Sequence, residues 1–100
     1  MPQITLETPH NLGREEATRR LKEKFSAVRS VYGAQVSNLQ ENWLDHTHSF
    51  SFNALGMCVS GIVQVEDALV KLDVELPLAA MLFKGTIEQR ILQEISGLLA

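Results

Sequence analysis

Cys58 is the only cysteine in the 100 residues, so no internal disulfide can form. That places the expected residence in the cytoplasm, where thiols stay reduced. Basic residues are in deficit. Nine Lys and Arg stand against twelve Asp and Glu, for a net charge of −3. A nucleic-acid module usually carries a basic excess on one face, so that class is set aside. Long hydrophobic runs are missing as well. The longest nearly uncharged, greasy run, Leu76 to Phe83, is eight residues, whereas a membrane-spanning helix needs about twenty. The start, Met-Pro-Gln-Ile-Thr, has no basic region followed by an apolar core, so no secretory signal is expected. No repeat, linker or low-complexity tract interrupts the chain. Its 45% apolar and 21% charged residues suit one globular domain.

What is present is alternation. Between residues 49 and 76, Phe50, Phe52 and Ala54 fall on one face. Val59, Gly61, Val63 and Val65 continue it, followed by Val70, Leu72, Val74 and Leu76. Ser49, Ser51, Asn53, Ser60, Gln64, Lys71, Asp73 and Glu75 collect on the other. A period of two marks half-buried strands, and one oily face opposite one wet face marks an antiparallel sheet. Gly56 punctuates the first pair of strands and Glu66-Asp67-Ala68 the second. Gly61, on the oily face, marks a close approach by a helix or a bulge.

Two helices flank these strands. From Arg14 to Tyr32, Ala17, Leu21, Phe25, Val28 and Tyr32 are spaced four, four, three and four, which is one helical stripe. Gly13 precedes it as N-cap, and Gly33 stands where a left-handed residue would close it. Glu15–Arg19 and Glu16–Arg20 read as i,i+4 pairs. At the other end, Ile87, Ile91, Ile95 and Leu98 form a second stripe. Lys84-Gly85 reads as a break before it, and Thr86 with Gln89 as a capping box. Between these, Leu78 to Phe83 reads as a short helix after Pro77. Gln3 to Glu7 is a strand ended by Pro9. Gln35 to Trp43 fits a continued helix, through Val36, Leu39 and Trp43. It also fits an edge strand with Ser37, Leu39, Glu41 and Trp43 on one side. The strand is preferred, because it completes a meander.

The order is thus strand, helix, four strands, helix. The economical arrangement is an α+β two-layer sandwich: a five-stranded, mainly antiparallel sheet with both long helices on one face. The first strand joins beside the last. By analogy this is helix-grip-like, which carries no function by itself.

Few residues suggest chemistry. His46 and His48 share a face if they lie on a strand, and Asp45 or His10 offers a third ligand. Two histidines without a fixed third partner do not specify a metal, and no metal or cofactor is assigned. Cys58 lies between Met57 and Val59, a strand interior rather than the setting of an activated thiolate. Glu66-Asp67 suits a turn. Lys84-Gly85-Thr86 matches the end of a phosphate loop but lacks its glycine spacer. Trp43 either covers the sheet edge or faces an interface. Leu78, Met81, Leu82 and Phe83 either pack across the open end of the sheet or stay exposed as a contact patch.

Several segments occur together in order: His10-Asn11-Leu12-Gly13-Arg14-Glu15-Glu16-Ala17, Phe50-Ser51-Phe52, Val59-Ser60-Gly61, Val65-Glu66-Asp67, Leu76-Pro77 and Phe83-Lys84-Gly85-Thr86-Ile87-Glu88-Gln89. With these the chain resembles the bacterial polyhydroxyalkanoic acid system, or granule-region, protein family over nearly its whole length. Trp43 is placed like a tryptophan found before the third strand there. Leu44-Asp45 departs from the Gly-Asp common at the following turn. The resemblance implies a role around storage-polyester granules or their synthesis, and implies no catalytic residues.

Three functions are open. The first is a non-enzymatic accessory or binding protein whose Leu78 to Phe83 segment, with Trp43, touches a polyester granule surface or a granule protein. The second is a small-molecule binder with an acyl or hydroxyacyl ligand between the sheet and the C-terminal helix. A core packed solid around Gly61, Phe52 and Ile91 would exclude it. The third is a homodimeric interaction module using a strand edge or the wet face. An enzyme is not expected, because no nucleophile, base and orienting group can be assembled.

Overall fold

The computed structural model describes residues 3–54 and 56–99, with the side chains of Tyr32, Ala54, Leu78 and Ala79 outside the described set. Five strands, β1 (Gln3–Pro9), β2 (Ser37–Leu44), β3 (Thr47–Ala54), β4 (Met57–Val65) and β5 (Leu69–Glu75), form one sheet in the order β1-β5-β4-β3-β2. Every pairing is antiparallel, and β1 closes against β5 as expected. Helix α1 covers Arg14–Tyr32 and α2 covers Lys84–Leu99.

The register confirms the single dry face. Phe50 lies opposite Gly61, Phe52 opposite Val59, Val63 opposite Leu72, and Ile4 opposite Val74. Directly opposed residues share a face. Ile4, Val63, Val65, Val70, Leu72 and Val74 from the sheet therefore meet Ala17 and Leu21 of α1 and Leu99 of α2 in one core. Ile91 and Ile95 pack against it, half-buried. Each such side chain contributes about 1.5–3 kcal/mol when fully buried.

Three local expectations are corrected. Gly33 keeps right-handed backbone, φ −58°, and leads into a 3-10 turn over Gly33–Gln35. Helix α2 does not restart at Thr86. It begins at Lys84, directly after the 3-10 segment Leu78–Phe83, whose Met81 carbonyl accepts the Lys84 N–H. That bond gives the helix's first N–H a partner, and Thr86 falls inside the first turn rather than at its cap. Finally, Arg19 pairs with Glu16 and Glu23, leaving Glu15 to face His46. The bonds from Arg19 and Arg20 hold the Glu16 carboxyl down to about 2.

The edge strand is a strand, with one irregularity. Ser37 pairs with Asn53 but Gln40 with Ser51, so β2 carries an extra residue at a bulge, and Asn38 is left-handed at φ 54°. The bulge turns Ser37 to the wet face while Glu41 and Trp43, opposite Phe50 and His48, stay on the dry one.

Gly61 is explained by its neighbour across the strand rather than by a helix. A Cβ there would sit 2.6 Å from Phe50 Cζ and 2.9 Å from the Asp73 carbonyl oxygen. The phenyl ring occupies the space that a side chain would fill. Gly61→Ala is therefore expected to cost about 1–3 kcal/mol, lowering Tm by about 4 °C or more. Phe50→Leu should return only part of that loss, because the Asp73 oxygen is backbone. An unchanged melting temperature for Gly61→Ala would contradict this packing.

Candidate functional site

Helix α1 meets the sheet unevenly. Ala17 and Leu21 are 0% and 2% exposed, but Val28 and Val31 reach 40% and 66%. The helix is pressed down at its N-terminal half and stands off at the other. The side chains beneath explain the tilt. Small Ala17 lets the backbone come close. Phe25 instead rests on a row of rings, 4.3 Å from His48 and 6.1 Å from Phe50 between centroids. Trp43 stacks on the far side of His48 at 4.6 Å, and Phe52 continues the row beyond Phe50.

The gap left under the raised half is a groove with two compartments. The inner one, about 460 Å³, lies between both helices and the sheet, against Phe52, Val59, Val74 and Ile91. The outer one, also about 460 Å³, lies under the end of α1 against Val36, Leu39, Arg29 and Glu41. Phe25, Val28, Phe50 and Phe52 line both. Beside Phe52 and Ile91 the core is thus not packed solid, whereas the space over Gly61 is filled by the Phe50 ring. Across the inner compartment α1 and α2 are tied by polar contacts: Lys24 to Glu94 at 2.8 Å, and Arg20 Nη1 donating to the Leu98 carbonyl at 3.0 Å.

Polar groups on the dry face converge at the outer compartment. His48 is 0% exposed. Its Nε2 lies 3.2 Å from Glu41 Oε1, and a carboxylate only accepts, so Nε2 carries the proton. The other nitrogen, Nδ1, is buried without a partner among the described residues. Protonating it would leave a bare donor in the core, which costs about 1–3 kcal/mol. Burial accordingly pushes the His48 pKa down, against the opposing pull of Glu41. Glu41's second oxygen forms an ion pair with Arg29 Nε at 3.1 Å.

The residues singled out from the sequence are dispersed. Trp43 is half-buried, held between His48 and the Lys22 ammonium, which lies 5.3 Å from its ring centroid. Leu82 and Phe83 are 88% and 61% exposed, and Met81 is half-buried. The Leu78 side chain lies outside the described residues. His46 and His48 turn to different partners. His46 Nδ1 is 3.1 Å from Thr18 Oγ1 and its Nε2 is 3.4 Å from Glu15. His10 is bound elsewhere, with Nδ1 accepting from the Leu12 N–H and Nε2 facing the Glu66 carbonyl. Among the described residues no group of three His, Cys, Asp or Glu is close enough to hold a metal ion. The Thr18–His46–Glu15 line has the residue types of a nucleophile relay. Thr18, however, is buried and lines neither compartment, so the line serves to fasten the β2–β3 turn to α1. Cys58 is exposed on the wet face. Sequence reasoning misses the groove's polar end. The signal that could have found it is parity: His48 stands two residues before Phe50 and so belongs to the oily face.

A five-stranded antiparallel sheet, roofed on one face by two helices with an apolar groove between, defines this as an α+β protein of the groove-bearing kind. The chain belongs to the family described as "Putative polyhydroxyalkanoic acid system protein", whose model matches residues 4–99. No curated protein matches the chain. Among solved structures it is similar to the crystal structure of TTHA0849 from Thermus thermophilus, at 12% identity and a TM-score of 0.38, over 98% of this chain and 92% of that one. Among the described residues no helix is long and apolar enough to cross a membrane.

The buried imidazole makes stability depend on pH. Unfolded, His48 titrates near 6.5; folded, lower. Between those values the unfolded chain binds more protons, so stability is full above the unfolded value and falls as acid is added. Melting temperature should decline from about pH 7 to about pH 5, and His48→Gln should flatten that slope. Equal slopes for the two proteins would exclude His48 as its source.

Proposed function

We propose that this chain is a non-enzymatic binding protein of the polyhydroxyalkanoate system, acting in the cytoplasm, which holds an acyl or hydroxyacyl ligand in the groove beneath α1 and α2. One observation carries the reading: an inner compartment of about 460 Å³ walled by Val, Leu, Ile and Phe side chains. Ligand sites commonly measure about 300–1,000 Å³. As an enclosed void, 460 Å³ would cost about 11 kcal/mol at roughly 24 cal/mol per Å³. That equals the whole stability of many domains. Such a space persists by standing open or by being filled, and an apolar chain fills it with gain at about 25 cal/mol per Å² of surface covered. Family membership supplies the polyester context.

A second reading rests on Leu82 and Phe83, the most exposed large apolar pair beside α2. They suit contact with a polyester granule surface or a granule protein, and the two roles are compatible.

Two measurements separate them. The protein should take up the fluorescent fatty acid parinarate. Val28→Trp, which places an indole in both compartments from a half-exposed position, should weaken uptake by about tenfold or more while Tm moves by about 2 °C or less. A wild-type protein that leaves parinarate dark would end the first reading. For the second, a tagged copy should sediment with granules from polymer-filled cells, and Leu82→Ser with Phe83→Ser should release it. A wild-type copy that stays wholly in the supernatant would end that one.

A further inference from the structure

We infer that the groove is built for an anionic amphiphile, a chain ending in a carboxylate, and that Arg29 holds that carboxylate. The inference rests on the binding reading above and specifies its ligand. The first observation is charge. The charged residues lining the two compartments are Lys24, Arg29 and Arg90 against Glu41 and Glu94. The groove walls therefore carry one net positive charge in a chain whose total is −3. An acidic protein that keeps a cationic groove favours an anion there over the bulk of its own surface.

The second observation is geometry. The three cations are not equivalent. Glu94 stands between Lys24, at 2.8 Å, and Arg90, at 3.4 Å, so an incoming carboxylate meets Glu94 as well. Arg29 is different. Its Nε faces Glu41 Oε2 at 3.1 Å, and Glu41 is tied on its other oxygen to buried His48. This is an ion pair on one side of the guanidinium. Its N–H groups donate no hydrogen bond to any described residue, although guanidinium offers five donors. The Nη1–Nη2 fork is the part that grips a carboxylate with two parallel bonds. Glu41 is the positioning residue: it orients Arg29 without filling the fork. The apolar walls beside Arg29 then lead inward, through Val28, Phe50 and Phe52, which line both compartments. From Arg29 inward to Leu21 the groove follows α1 for about 12 Å at 1.5 Å per residue. That length suits an extended chain with its charged end at Arg29.

The test compares two probes by titration calorimetry on the full chain: dodecanoate and dodecanol, which differ in the head alone. Wild type should bind dodecanoate about tenfold or more tighter, the worth of a charged hydrogen bond. Arg29→Gln should remove that preference and leave dodecanol unchanged. Arg29→Lys should restore it only in part, since an ammonium lacks the fork. Lys24→Gln should keep the preference. Arg29 is more than half exposed, so these variants fold, and a melting curve confirms it. Equal binding of both probes by wild type would overturn the carboxylate inference while leaving the acyl groove intact. Loss of preference in Lys24→Gln rather than Arg29→Gln would overturn the assignment to Arg29. Binding of neither probe would take down the groove reading along with it.

Discussion

The tilt of α1 over the sheet governs the rest of this molecule. Around Ile4, Val65 and Val70 of the sheet and Ala17 of the helix the layers close, while Leu21, Val63 and Leu72 stand buried at the inner end of the groove. Where the sheet presents Trp43, His48, Phe50 and Phe52, the helix answers with Phe25 and is held away. Close packing on one side and large rings on the other cannot both be met by a parallel rod. The helix pivots, and the groove is the consequence. Its existence follows from side-chain volume, with no loop or insertion needed to make it.

The same row of rings contains the most unusual residue of the core. His48 lies among aromatics with no exposure, its Nδ1 without a partner among the described residues. It is kept neutral there, and its remaining N–H fixes Glu41, which in turn faces Arg29. A carboxylate on the inner face of a sheet is costly unless it is paired. Here two partners from β3 and α1 satisfy it at the groove's outer end. The polar cluster therefore links the tightly packed side of the domain to the side that is open.

Much of this was legible in the chain. Alternation from Phe50 to Leu76 put every inward strand residue on the correct face, and the stripes through Leu21 and Ile91 put both helices over it. Even the placement of Glu41 beside Trp43 could be read, because a strand keeps parity. What could not be read was anything set by the partner across a gap. The bulge at Asn38 moves Ser37 off the dry face, and nothing in the Ser37-Asn38-Leu39 run marks it. Gly85 breaks no helix because the turn ending at Phe83 already feeds one. The meeting of Arg29, Glu41 and His48 joins three elements separated in sequence, so no local pattern announces it. Nor does spacing along α1 tell that Val28 hangs half-exposed over both compartments while Leu21 lines only the inner one and is buried.

Membership of a polyhydroxyalkanoic acid system family supplies a setting, and the proposed ligand binding would give the groove a physical task within it. The claim that joins them is that the space under the raised half of α1 is occupied by an apolar chain. Isotope-filtered nuclear Overhauser spectroscopy with carbon-13 dodecanoate tests this most directly. The account predicts contacts from the chain to the methyl groups of Val28, Val59 and Ile91. Contacts confined to Leu82 and Phe83, with the methyls of Val59 and Ile91 silent, would contradict it.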